Sequence, residues 1–136
     1  MRVEIVISDI EKGIKSEILA EIESLEGDYT IIKNFLTGTE YELKQIRVTL
    51  HSFKNRLSKI RSLLVTYFHM QGSFNFNFQT RPLQDSIDTA LLLIEANPPV
   101  TWQNARAILQ MCLTMSTIKI EDTLSFISTL KRTAFS

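Results

Sequence analysis

A chain of 136 residues with 44% hydrophobic side chains is long enough to bury a core without covalent staples, and its single cysteine, Cys112, excludes an internal disulfide framework and points to a reducing, intracellular compartment. Its 15 basic and 15 acidic residues cancel, unlike the balance of a uniformly basic nucleic-acid binder. The cancellation is between two parts: residues 1–42 hold ten acids and four bases, hence −6, and residues 43–136 hold eleven bases and five acids, hence +6.

At the N-terminus, Arg2-Val3-Glu4-Ile5-Val6-Ile7 alternates for a few positions and reads as a short strand. Acidic residues stand where a signal peptide would keep its apolar region, so secretion is not expected. No apolar run approaches the roughly 20 residues that span a bilayer, so no membrane role is expected either. Ser8 and Asp9 then read as a helix N-cap, with Glu11 in the first turn.

The strongest signal follows. Leu43, Ile46, Leu50, Phe53, Leu57, Ile60, Leu64 and Tyr67 repeat at spacings of 3-4-3-4-3-4-3. Such a run is a helix with a narrow apolar seam, built to meet another helix. The register extends back through Leu36, Ile32, Tyr29, Leu25, Ile22 and Ile18, with the polar Thr39 at the junction. Around that junction, Gly38 suits a helix C-terminus, and Thr39 with Glu42 matches a capping box that opens a helix. Two arrangements satisfy the pattern. One is a helical hairpin with helices 8–36 and 40–69. The other is a continuous rod of about 50 residues, roughly 75 Å long at 1.5 Å per residue, that dimerises as an antiparallel coiled coil.

Charge favours opposite directions in either case. Laid antiparallel, Glu26 faces Lys54 and Asp28 faces Arg56; laid parallel, like charges meet. The basic residues Lys44, Arg47, Lys54, Arg56, Lys59 and Arg61 on this second helix admit two readings. They are either the solvated face that meets the acidic first helix, or a ladder of cations that tracks a nucleic-acid backbone.

Residues 71–81 form an extended, Phe-rich connector in which Phe74, Phe76 and Phe78 alternate with Asn75 and Asn77. In an extended chain the three rings share one side and need a cover. The covers open to them are the chain's own helices, a strand pairing with residues 3–7, or a partner.

Three shorter helices then follow in residues 82–136. Pro82 opens the first, whose apolar face is Leu83, Ile87, Ala90, Leu91 and Ile94, and Asn97-Pro98-Pro99 ends it. Thr101 caps the next, lined by Trp102, Ala105, Ile108, Leu109 and Cys112, with a break at Ser116 or Thr117. Ile120, Leu124, Ile127 and Leu130 mark the last, with Lys131 and Arg132 favourable in its final turn.

Chemistry has little to stand on. Two histidines, His51 and His69, and one distant cysteine supply no metal-ligand spacing, and the four glycines are isolated rather than gathered into a phosphate loop. Cys112 sits on the apolar side of a helix and reads as a small buried hydrophobe. No catalytic, cofactor or metal residue is assigned. The expectation is an all-α chain comprising a hairpin or coiled-coil region (1–70), the connector (71–81) and a three-helix region (82–136), packed as one domain. Its expected role is non-enzymatic assembly or adaptor work, through a protein partner or its own copies. The candidate partner interface is Phe74, Phe76, Phe78 and Trp102, with the seam residues Leu50, Phe53, Leu57 and Ile60. The alternative is a nucleic-acid accessory role for the basic residues between 44 and 61.

Overall fold

The computed structural model describes residues 2–96 and 100–135, with side chains from residue 8 onward. The described chain is all-helical, with five helices: α1 (Arg2–Leu36), α2 (Leu43–Met70), α3 (Arg81–Ile94), α4 (Trp102–Met115) and α5 (Ile120–Thr133). The Asn97-Pro98-Pro99 stop lies outside the described residues.

The N-terminal expectation is corrected. Residues 2–7 continue α1 rather than forming a strand, and Ser8 and Asp9 lie inside the helix. A strand needs neighbouring backbone to complete its hydrogen bonds, and no strand exists among the described residues to offer it. A helix closes its bonds within the segment and propagates cheaply from an existing turn.

α1 ends as Gly38 suggests. Gly38 takes φ +125°, a backbone state that costs glycine little. Its N–H donates to Phe35 O at 3.3 Å, and that of Thr39 donates to Asn34 O at 2.9 Å, a Schellman closure. Thr39 is thereby committed to ending α1, so the Thr39–Glu42 capping box does not form. α2 starts three residues beyond the expected 40, behind Glu42, whose side chain makes no capping bond. The interruption at 37–42 replaces the continuous rod.

Between α1 and α2 the ionic contacts run in opposite numerical order. Lys59 meets Glu17 at 3.3 Å and Glu21 at 3.1 Å, Arg56 meets Glu21 at 2.9 Å, and Ser52 donates to Asp28 at 2.7 Å. Between these helices lie Ile18, Ile22, Leu25 and Ile32 from α1 and Ile46, Leu50, Phe53, Leu57, Ile60 and Leu64 from α2, all at 0–1% exposure. The seam is not a narrow two-helix contact. Phe35 rather than Leu36 completes it, and one contiguous core joins it to Leu83, Ile87, Leu109 and Ile127 from the later helices.

Those later helices also settle the flanks. The expected Asp28–Arg56 pair is present at 3.5 Å. The expected Glu26–Lys54 pair is not: Lys54 turns to Asp88 on α3 at 2.6 Å, and Glu26 turns to Lys131 on α5 at 3.0 Å. One flank of the α1–α2 seam stays open and pairs within itself. The other is covered by α3 and α5, which bring their own partners.

Leu57 is fully enclosed at 0% exposure. Leu57→Ala removes its transfer energy and leaves a cavity, so stability should fall by about 2–5 kcal/mol. Urea denaturation followed by circular dichroism measures this, with Gln45→Ala on the solvent side expected within about 0.5 kcal/mol of the parent.

Candidate interaction surfaces

The candidate cations are mostly occupied by the chain itself. Arg56 bridges Glu21 and Asp28, and its Nε also donates to Ser52 Oγ at 3.1 Å. Lys59 holds Glu17 and Glu21, and Lys54 holds Asp88. Arg61 donates from Nε to the Phe78 carbonyl at 3.1 Å, tying α2 to the connector. Lys44 and Arg47 alone of the six have neither an ion pair nor a side-chain hydrogen bond among the described residues. His51, which shares this helix side, contacts Glu95 at 3.1 Å.

The three phenylalanines do not share one environment. α2 ends in a second Schellman closure: Gly72 has φ +86°, its N–H donates to His69 O, and Ser73 N–H donates to Phe68 O at 2.8 Å. A turn then closes from Ser73 O to Phe76 N–H at 3.2 Å. That turn breaks the alternation on which a common face depends. Phe74 projects at 74% exposure, with only the His69 ring nearby at 5.8 Å. Phe76 stacks on Phe68 at 4.4 Å, and Phe78, buried, packs beside Phe126 at 5.1 Å. The expectation of one shared face for the three rings is therefore corrected, and the chain's own helices leave Phe74 uncovered.

Trp102 is half-buried under the guanidinium of Arg106, 4.6 Å from its ring centroid. Arg106 also donates to Phe35 O at 2.6 Å and Thr39 O at 3.3 Å, so α4 caps the end of α1. Leu50, Phe53, Leu57 and Ile60 are closed at 0% exposure against their own chain. Of the eight apolar residues considered for a partner, Phe74 is the one fully presented.

Other apolar side chains face outward instead: Met115 at 75%, Leu92 at 73%, Val48 at 60% and Met111 at 50%. Met111 and Met115 are four residues apart, on the side of α4 away from Ala105, Leu109 and Cys112. Their place off the apolar stripe was readable in the sequence. Arg106 carried no such signal, because its partners are 71 and 67 residues away.

Two further features bear on chemistry. Cys112 is buried, and that burial pushes its thiol pKa up, away from the reactive thiolate. A cavity of about 470 Å³ opens where α1 ends, α4 ends and α5 begins. Among the described residues no group of three or more His, Cys, Asp or Glu is placed to hold a metal ion, and no helix is long and apolar enough to cross a membrane. No known protein family matches the chain, and no curated protein or solved structure matches it.

The open flank has a pH signature. Burial acts to raise the Glu21 carboxyl, but hydrogen bonds from Lys59 and Arg56, and then their charges, outweigh it and hold the pKa below the usual 4.5. A carboxyl depressed in the folded state stabilises the fold above its unfolded pKa, and that contribution fades as pH falls from about 4.5 through the folded value. Glu21→Gln should flatten the loss of stability in this acid range. Thermal melts of both proteins across it measure the difference.

Proposed function

We propose that the protein is a non-enzymatic assembly or adaptor protein that works by binding protein surfaces, other copies of itself included. In this reading α1 and α2 form a helical hairpin. The connector straps the hairpin to α3–α5, so the chain acts as one body in a reducing compartment. The observation that carries the reading is the exposure of Phe74 at 74% on a segment tethered at both sides. Behind it, the Gly72 closure fixes the chain to α2; ahead of it, Phe76 and Phe78 are seated. A ring held out in this way has its conformational cost already met, and aromatic anchors of this kind dominate binding energy at interfaces. Met115 and Leu92 add apolar surface elsewhere.

The alternative, binding of a nucleic-acid backbone, has weaker support. Four of the six cations are engaged within the chain, so phosphate contacts would compete with existing partners. With Lys44 and Arg47 alone, the logarithm of affinity for a single strand would fall with that of salt at a slope of only about −1.4. Titration of single-stranded RNA at low and physiological salt should show no more than this weak, salt-sensitive binding. Steep salt dependence abolished by Arg47→Glu would favour the alternative.

For the assembly reading, light scattering on size-exclusion fractions at rising concentration should give a mass above the 15.6 kDa of one chain. Phe74→Ser should shift it toward the monomer while leaving the melting temperature nearly unchanged, since an exposed ring contributes little to the core. A mass fixed at one chain up to high micromolar concentration, with no partner retained by the parent and lost by Phe74→Ser, would overturn the reading.

A further inference from the structure

The cavity at the meeting of α1, α4 and α5 stands apart from the surfaces above, and three chain-distant segments build it. Tyr29, Lys33 and Leu36 lie three and four residues apart on one side of α1, and Gln110, Leu113 and Thr114 do the same on α4. Ile120 and Glu121 come from the start of α5, with Lys119 just before it. Leu113 and Ile120 are buried, and with the half-buried Leu36 and Tyr29 they make an apolar floor. The volume of about 470 Å³ lies in the range of roughly 300–1,000 Å³ typical of small-ligand sites.

The polar groups at its edge have spare capacity. Lys33 and Glu121 form no ion pair among the described residues, and the Tyr29 hydroxyl and Gln110 amide have no hydrogen-bond partner there. Lys119 is partly used: its Nζ donates to the carbonyls of Thr114 and Ser116, which satisfies the end of α4. Two ammonium groups against one carboxylate leave the mouth net positive. Burial, and then the charge of Glu121, raise the pKa of Tyr29, so its hydroxyl keeps its proton and remains a donor.

We propose that this cavity is a binding site for an apolar acid, whose hydrocarbon body lies on Leu36, Leu113 and Ile120 and whose carboxylate meets Lys33 and the Tyr29 hydroxyl. The same chemistry is offered by a free medium-chain carboxylic acid and by the C-terminal residue of a peptide. Opposed to the acid stands Glu121, which weakens an anion in the site. Because Lys33 and Glu121 are exposed, replacing either leaves the core intact.

The test is a titration of the isotopically labelled full chain with sodium octanoate, and separately with an N-acetylated dipeptide ending in phenylalanine, followed by amide chemical shifts. Saturable shifts confined to residues around Leu36, Gln110 and Ile120 are expected with at least one of the two. Octanoate alone assigns the free acid; the dipeptide alone assigns a peptide terminus. Lys33→Gln should weaken binding about tenfold, the size of one charge-assisted contact, and Glu121→Gln should tighten it. Octanamide, which keeps the body and loses the charge, should bind more weakly than octanoate. The proposal falls if neither acid saturates, if shifts scatter over the exposed apolar residues instead, or if binding ignores both charge changes.

Discussion

The α1–α2 seam is the contact on which the other helices are set. It buries Ile18, Ile22, Leu25, Ile32 and Phe35 of α1 and Ile46, Leu50, Phe53, Leu57, Ile60 and Leu64 of α2. Each such side chain, removed from water, is worth about 1.5–3 kcal/mol before the entropy of ordering is subtracted. Two helices cannot enclose those residues completely, because each seam has an open side. α3 and α5 close it on the flank of Lys54 and Glu26, while Arg106 of α4 ties the end of α1.

The same geometry explains how charge is used. A chain with zero net charge and strongly opposed halves neutralises itself locally, through Glu17, Glu21 and Asp28 against Arg56 and Lys59 on the open flank. These pairs, with Glu21 and Asp28 mostly covered and their cations partly in solvent, penalise a parallel alignment and so help to set direction. Their second consequence concerns function. A cation already matched to a carboxylate offers a nucleic-acid backbone less than an unmatched one, and this turns attention from the basic stripe to apolar side chains that have no cover.

Those side chains are set apart by backbone chemistry rather than by composition. Phe74, Phe76 and Phe78 have equal hydrophobicity and even spacing, yet one projects while two are seated. The difference comes from a single turn between Ser73 and Phe76. A segment of this kind holds one aromatic ring in solvent at low entropic cost, which is what the proposed partner contact would draw on. The acid-sized cavity at the far end of α1 has a different origin: three helix termini meet there and their side chains do not fill the space between them.

Much of the fold was legible in the chain. The 3-4 repeat from Leu43 to Tyr67, the glycine at 38, Pro82 and the Thr101 cap each act over a turn or two, and each acts in the structure as its local chemistry requires. The start of α1 was hidden because a short alternating stretch finds no strand to pair with among the described residues, a fact about the rest of the fold and not about six residues. The partners of Lys54, Glu26 and Arg106, the separate fates of the three phenylalanines and the cavity were equally hidden. Sequence periodicity specifies which face of a helix avoids water. Which helix covers that face, and which side chains are left outside, depends on contacts between residues as far apart as Glu26 and Lys131, and only packing in three dimensions decides those.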